Sequence, residues 1–364
     1  MREATRLVGG DIVSRYPIQK WCQGAWARLV LVLTACAAPA AAPATPPSGG
    51  TSDHLTRIAS PPASGPPAAR EALRIPYSAI SLSSLPHWLA YDAGYYAEEG
   101  LDVTLEYISS STTLAPALLS GEIPVAYAGQ EIVIASGVRG GDLVIIGAGL
   151  ERPLFWLSVQ GSERTPEELR GKRIGVTRFG SSSDVVLRAW LATVGLVPER
   201  DVTILQSGGT PEMVSALQAG GLDAAVLSPP AVFQAQRNGA VPIVDLGDLD
   251  LPFYQSALVT TRRFLSERPE TARRVARAFA RAWPLLHDEA AALASLRRHA
   301  DGIDDELLGE TYRAGVRRFA GSPLPRVEPL RRGLEQLAAR EGLPAGVTPE
   351  QFIAPEVMRA ALTS

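Results

Sequence analysis

Short segments rich in glycine and hydroxyl side chains recur along the chain, and such segments suit the binding of a small ligand. The most distinctive is "RFGSSSD" at 178–184, which precedes a predicted helix. Gly180 allows close approach of the backbone to a ligand, while Ser181 and Ser182 offer hydroxyl groups. Arg178 supplies a counter-charge for an anion, which the first N–H groups of a helix also favour. A serine run at this place also serves as a helix N-cap, so both interpretations stay open.

Comparable segments follow most of the predicted strands, and together they define the predicted ligand site. Ring side chains beside these segments, or near predicted chain crossovers, are included as groups that could flank a ligand, although such rings more often fill a core. The predicted ligand-binding residues are Ser83, Ser84, His87, Trp88, Ser110, Ser111, Gly129, Gln130, Arg178, Gly180, Ser181, Ser182, Ser207, Gly208, Ser228 and Tyr254.

Little in the sequence supports catalysis. The four histidines are scattered, and no HExxH, GxSxG or phosphate-loop pattern occurs. No cluster of histidine and carboxylate residues has the spacing of metal ligands. Asp223, which precedes a predicted strand, is interpreted as structural. We therefore expect a binding protein with no catalytic residue, no cofactor and no metal.

The elements that position these segments alternate between strand and helix. The chain predicts strand, helix, strand, helix, strand from about residue 73 onward, and the same order starts again after Glu163. Units of this kind form a parallel sheet covered by helices, which makes the fold class α/β. Ligands of such sheets bind outside the carboxyl ends of the strands, where the glycine and hydroxyl segments lie. Further helices are predicted at 304–319 and 326–341.

The two units resemble each other in detail. "LLSGEIPVAYAGQE" at 118–131 and "LQAGGLDAAVLSPP" at 217–230 both read helix end, glycine, buried strand and polar turn. This internal repeat predicts two similar lobes, with Gly129 and Ser228 on facing lips of one cleft. We assign lobe 1 to residues 72–160 and 249–364 and lobe 2 to residues 161–248.

The first 71 residues differ from the rest. A basic segment and the apolar run "LVLVLTAC" are typical of a secretory signal over residues 1–36, and Leu33 to Cys36 resembles a bacterial lipobox. We expect Cys36 to carry a lipid, and the long basic segment indicates that translation could start downstream of Met1. Residues 37–71 are rich in Ala, Pro and Ser, which predicts a disordered linker.

The composition narrows the class of partner. The chain has 364 residues, 46% of them apolar, and a net charge of −3 without a basic cluster, so we expect no nucleic acid as partner. No apolar run reaches the roughly 18 to 20 residues that a membrane span needs. Both cysteines, Cys22 and Cys36, lie in the predicted signal.

Residues 87–129 resemble the opening lobe of the substrate-binding proteins of bacterial ABC importers. The similar branch is the nitrate, sulfonate, taurine and thiamine-precursor type, and "GKRIGVTRFGSSSDVVLRAWLATVGL" resembles its second lobe. The resemblance implies the type II periplasmic-binding fold, two crossovers and a cleft that closes on a small organic anion or a pyrimidine-like solute. It also implies a monomer that serves an ABC permease with a cytoplasmic ATPase, held by its lipid at the outer face of the cytoplasmic membrane or in the periplasm.

Two alternatives stay open. The branch is related to a pyrimidine-precursor synthase, but the chain has no cysteine after Cys36 and His87 is an isolated candidate donor. A ligand sensor that uses the same fold without transport is the other alternative.

Overall fold

Two five-stranded sheets form the framework of the protein. The computed structural model describes residues 69–363, with all side chains except those of residues 336 and 339–341. The predicted signal, the Cys36 lipidation site and nearly all of the predicted linker lie outside this range. The strands are β1 (Glu71–Tyr77), β2 (Leu101–Tyr107), β3 (Val125–Ala128), β4 (Leu143–Ala148), β5 (Trp156–Val159), β6 (Arg173–Val176), β7 (Thr203–Gln206), β8 (Ala224–Leu227), β9 (Val241–Asp245) and β10 (Ala257–Thr261).

The strand orders confirm the predicted repeat. The sheet of lobe 1 runs β2-β1-β3-β10-β4, and the sheet of lobe 2 runs β7-β6-β8-β5-β9. In each sheet three parallel strands are followed by an antiparallel one. Every residue of β3 and β8 is buried, which suits a central strand covered on both faces. The α/β fold class is confirmed.

Helices cover both sheets. The predicted helices after β10 are present, and α9 ends two residues before Pro284, a residue type that disfavours continuation of a helix. The helices are α1 (Leu85–Asp92), α2 (Tyr95–Glu98), α3 (Ser111–Ser120), α4 (Gln130–Gly137), α5 (Ser182–Thr193), α6 (Thr210–Gln218), α7 (Ala231–Arg237), α8 (Arg262–Glu267), α9 (Pro269–Ala282), α10 (Glu289–His299), α11 (Asp305–Gly315), α12 (Glu328–Glu341) and α13 (Pro355–Leu362).

Two expectations about boundaries need correction. The sequence predicts one helix from Pro86 to Gly100, but the structure breaks it into α1 and α2 because Gly94 has a φ of 76°.

The predicted boundary of lobe 1 at residue 160 is also too late. β5 pairs with β8 and β9, so the chain enters lobe 2 before Trp156.

The two crossovers run side by side between the lobes. Segment 149–155 leads from β4 to β5, and segment 249–256 leads back to β10. The N–H of Phe253 donates to the carbonyl of Glu151, and the N–H of Gln255 donates to the carbonyl of Leu150, both at 2.9 Å. A further contact crosses the cleft, where the N–H of Leu82 donates to the carbonyl of Pro229 at 3.2 Å.

In the described part of the chain, no helix combines the length and the apolar character that a membrane crossing requires.

Asp223 has a structural role that a substitution would expose. Its carboxylate accepts from the backbone N–H of Arg173 at 2.8 Å and from the guanidinium of the same residue at 3.0 Å, which joins the start of β6 to the segment before β8. We expect Asp223→Ala to lower the free energy of unfolding by about 1 to 2 kcal/mol, since hydrogen bonds to a charged group are lost.

Urea denaturation measures this change. Asp102→Ala is the matched control, because Asp102 is an exposed aspartate on a strand, and we expect it to change stability by less than about 0.5 kcal/mol. Equal losses in the two variants would contradict the structural role of Asp223.

Candidate functional site

A small cavity lined mostly by hydroxyl groups lies between the lobes, where the parallel strands of both sheets end. We call it the serine cavity, and its volume is about 40 Å³. None of the described residues that line it carries a charge. The lining consists of Ser78, Ala79, Ser83, Tyr107, Ser110, Ser111, Phe155, Thr177, Ser181, Ser182, Ser183, Thr210, Ser228 and Gln255.

Helix starts surround the serine cavity. The helices α3, α5 and α6 begin at lining residues, and in none of them does an N–H group of the first turn donate to the side chain of the N-cap residue. The Ser181 hydroxyl, at the N-cap of α5, accepts instead from Thr177 Oγ1 at 2.8 Å. The first N–H groups of these three helices favour a negative or oxygen-rich partner. The arrangement can therefore bind an oxygen-rich group by N–H and O–H donors alone.

Local geometry at the serine cavity is strained at one position. Ser110 has a φ of 74°, which a residue other than glycine rarely adopts. The following residue, Ser111, accepts from the N–H of Gly129 at 3.0 Å and donates to Ser78 at 3.2 Å. The hydroxyls of lobe 1 are thus held in place by one another, and backbone strain of this kind concentrates at functional sites.

Glu131, in the first turn of α4, joins the two lobes beside this cavity. The Ser182 hydroxyl at the start of α5 donates to Oε2 of Glu131 at 2.8 Å. A Cβ on Gly129 would lie 2.2 Å from that oxygen and 2.5 Å from the Ser182 hydroxyl, so this contact requires glycine. Burial raises the pKa of the Glu131 carboxyl to about 7, although hydrogen bonds from its own backbone and from Ser182 oppose the rise.

Glu131 also lines a second, larger cavity, which we call the chamber. Its volume is about 210 Å³. Ser182 lines the serine cavity, so a single hydrogen bond joins the walls of the two cavities. Among the described residues, Oε1 of Glu131 is buried and has no hydrogen-bond partner. The chamber is lined by Gln130, Glu131, Ile134, Ala135, Val138, Arg139, Gly180, Val185, Phe253, Gly333 and Leu337.

The structure brings many of the predicted site residues together at these two cavities. Gly129 lies between the two cavities. Its N–H donates to the Ser111 hydroxyl, and its α-carbon lies beside the Glu131 carboxyl. Gln130 and Gly180 line the chamber, but the Gln130 side chain is already bonded to Tyr254 and Pro329. The predicted residues that line the serine cavity are Ser83, Ser110, Ser111, Ser181, Ser182 and Ser228.

Other predicted residues lie outside both cavities. The Arg178 side chain is exposed. Ser84 donates to the carbonyl of Ala79 at 2.7 Å and so serves its own turn. Ser207 and Gly208 follow β7 but line neither cavity.

The three predicted ring residues are buried in the core of lobe 1. His87 contacts the Tyr96 hydroxyl at 2.9 Å and the Ile75 carbonyl at 3.2 Å, and burial lowers its pKa to about 4. Trp88 stacks on His299, with ring centroids 4.9 Å apart. The Tyr254 hydroxyl accepts from the N–H of Arg326 at 2.6 Å. These side chains fill the core, as aromatic groups usually do, and we propose no ligand contact for them.

Glu131 is the main residue of this site that the sequence did not identify as a candidate. An acidic residue in the first turn of a helix ordinarily faces solvent and complements the helix dipole. Thr177, Thr210, Phe155 and Gln255 also line the serine cavity without being predicted. Within residues 69–363, no group of histidine and acidic side chains is arranged to hold a metal ion.

Glu131→Gln should change how stability depends on pH. The folded chain keeps a proton on this carboxyl up to about pH 7, whereas the ordinary pKa is 4.5, so Glu131 lowers wild-type stability as pH rises through this window. Glutamine stays neutral. We expect the free energy of unfolding of the variant, relative to that of the wild type, to rise by on the order of 2 to 3 kcal/mol between pH 5 and pH 8.

Thermal melts of both proteins across this range measure the difference. The difference in stability between variant and wild type is compared, because His87 also makes stability depend on pH. Its pKa is lowered, so it raises stability as pH rises towards about 6.5 in both proteins, and this effect cancels in the difference. Arg139, which lines the chamber with Glu131, is exposed, and the buried Asp184, two residues after Ser182, is paired with Arg188 at 2.7 Å. Glu122→Gln, at an exposed position of lobe 1, is the control. A constant difference between Glu131→Gln and wild type would contradict the burial of an unpaired carboxyl oxygen.

Known proteins resemble the chain both in sequence and in fold. The riboflavin-binding protein RibY of Chloroflexus aurantiacus is 29% identical over 194 residues, which are 50% of this chain and 50% of RibY. A putative ABC transporter periplasmic binding protein of Brachyspira hyodysenteriae is 32% identical over 100 residues, 28% of either chain. The chain thus spans half or less of the length of these curated relatives.

A solved structure shares the fold over most of the chain. The alkanesulfonate-binding protein SsuA from Xanthomonas axonopodis pv. citri, bound to MOPS, superposes with a TM-score of 0.66 at 21% identity, covering 79% of this chain and 99% of SsuA. Such low identity concerns the fold alone. The model of the NMT1/THI5-like family matches residues 82–291, which include both crossovers and all lining residues of the serine cavity except Ser78 and Ala79. Because this match takes in more than half of the sequence, the chain belongs to the NMT1/THI5-like family.

Proposed function

We propose that the protein is an extracytoplasmic solute-binding protein that closes its two lobes on a small molecule and delivers it to an ABC-type permease. The observation that carries this proposal is the serine cavity, because both lobes contribute equivalent strand ends and helix starts to it. The resemblance to a putative ABC transporter periplasmic binding protein and to SsuA supports it. We propose binding rather than catalysis.

Hinge closure is the proposed mechanism. The paired crossovers 149–155 and 249–256 connect the lobes along one edge, so they can serve as the hinge. The contacts that join the lobes include hydrogen bonds from Leu82 to Pro229 and from Ser182 to Glu131. Ion pairs of Arg237 with Asp304 and of Arg318 with Asp245 also join them. A solute that bonds hydroxyls of both lobes adds to these contacts in the closed state only. Its differential affinity for that state then shifts the population towards closure.

The proposed cellular setting follows from the family and from the first residues of the sequence. A lipid on Cys36 would hold the protein at the outer face of the cytoplasmic membrane, or in the periplasm, within reach of the permease and its ATPase. The linker that follows Cys36 would give a monomeric binding body the freedom to reach the permease. Mass spectrometry of the protein from its membrane fraction tests the lipid.

Small-angle X-ray scattering tests closure. The probes are ethanesulfonate, nitrate, riboflavin and a pyrimidine, chosen to cover the anion and heterocycle classes. At least one is expected to reduce the radius of gyration and to raise the melting temperature. If no compound of these classes compacts the protein, the proposed function is wrong.

Ser228→Ala should weaken binding of the solute that causes closure. The change removes one hydroxyl from the serine cavity. A lost hydrogen bond of about 1 kcal/mol corresponds to a roughly fivefold weaker affinity, measured by calorimetry. Ser207→Ala is the matched control, because Ser207 lies outside both cavities, and it should leave the affinity unchanged. Equal effects of the two substitutions would contradict a role for the serine cavity.

A further inference from the structure

The serine cavity is too small for an organic solute on its own. About 40 Å³ takes a compact polar head group and no ring system. The chamber next to it, of about 210 Å³, exceeds the roughly 150 Å³ of an engineered apolar cavity that binds benzene. If the protein captures a solute between its lobes, as proposed above, the body of that solute needs the chamber. The inference that follows therefore rests on the proposed function.

The walls of the chamber suit an apolar body. In lobe 1, Ile134 comes from α4, Val138 from the C-cap of that helix and Leu337 from α12. In lobe 2, Val185 comes from α5. Phe253 comes from the returning crossover and adds an aromatic ring. Both lobes and the crossover thus contribute to the chamber, so occupancy of the chamber and closure of the cleft depend on each other.

Glu131 gives the chamber a specific polar group. Its side chain is only 7% exposed, and its Oε1 has no hydrogen-bond partner among the described residues. A buried acceptor without a donor carries a desolvation cost that a ligand N–H or O–H would remove. The other charged group lining the chamber, Arg139, has an exposed side chain, so solvent screens its charge.

We infer that the chamber holds the body of the solute and that Glu131 makes the site select a head group that donates hydrogen bonds. A cationic or uncharged donor on an apolar or flat body fits this arrangement. Once the carboxyl is ionised, an oxyanion next to Glu131 would bring together two acceptors and two negative charges. Glu131 is therefore a specificity-determining residue, and the preferred solute is not a sulfonate.

Three probes with the same ring test the charge preference. Benzamidine is cationic, benzamide is neutral and benzenesulfonate is anionic, and each is titrated into the purified protein at pH 8 by calorimetry. We expect benzamidine to bind most tightly and benzenesulfonate at least tenfold more weakly. Glu131→Gln should weaken benzamidine binding at least tenfold and leave benzamide within about threefold. Binding of benzenesulfonate at least as tight as that of benzamidine would overturn the selection by Glu131.

Filling the chamber tests its occupancy. Val185→Phe places a ring in the chamber and should abolish binding of benzamidine and benzamide. Val197→Phe is the matched control, since Val197 is 42% exposed and lines neither cavity, and it should bind both probes as the wild type does. Melting curves show that each variant is folded. Unchanged benzamidine binding by a folded Val185→Phe variant overturns the inference.

The scattering experiment separates this inference from the proposed function. Compaction by a solute whose affinity survives both Glu131→Gln and Val185→Phe would overturn the role of the chamber and leave solute capture intact. If no solute compacts the protein, capture itself is wrong.

Discussion

The hydrogen bond between Ser182 and Glu131 is the contact between the lobes that links the serine cavity to the chamber. It joins the first turn of α5 in lobe 2 to the first turn of α4 in lobe 1, and Gly129 leaves the room that it needs. The bond leaves the second carboxylate oxygen buried without a partner. A buried carboxyl oxygen without a partner is costly, and once the carboxyl is ionised this oxygen is an acceptor that a donor group of a solute could satisfy.

The shared topology of the lobes explains why so many hydroxyls meet at one place. Each sheet places its three parallel strands side by side, and the segments after them face the other lobe. The helices that begin there direct the N–H groups of their first turns towards the same place, without a capping hydrogen bond to the N-cap side chain. Hydroxyls and N–H groups donate without bringing a net charge, so the serine cavity itself adds no charged side chain to the cleft.

Much of the fold follows from local sequence. Glycines at the ends of elements and the spacing of apolar residues identify the strands and helices of both lobes. The repeat predicts β3 and β8 as equivalent central strands. The hydroxyl segments could be placed at the cleft because parallel strands present their carboxyl ends at one edge. Six of the predicted hydroxyl residues line the serine cavity.

The remaining features depend on tertiary contacts that the sequence does not reveal. Whether Trp88 faces a ligand or stacks on His299 depends on how α1 docks against α10. Arg178 looks like a ligand for an anion, yet the turn leaves it exposed. The role of Glu131 arises only when residues 131 and 182, which lie in different lobes, come together.

The order of strands in lobe 1 has a consequence for how the chain is made. β4 joins its sheet through β10, which lies more than a hundred residues later and follows all of lobe 2. A chain that emerges from a ribosome or a translocation pore with its N-terminus first cannot complete the first sheet until Thr261 is out. Until then, the edges of β3 and β4 stay unpaired and open to non-native pairing. Lobe 1 is therefore begun before lobe 2 but completed after it. The edges of β3 and β4 stay exposed while the whole of lobe 2 is synthesised.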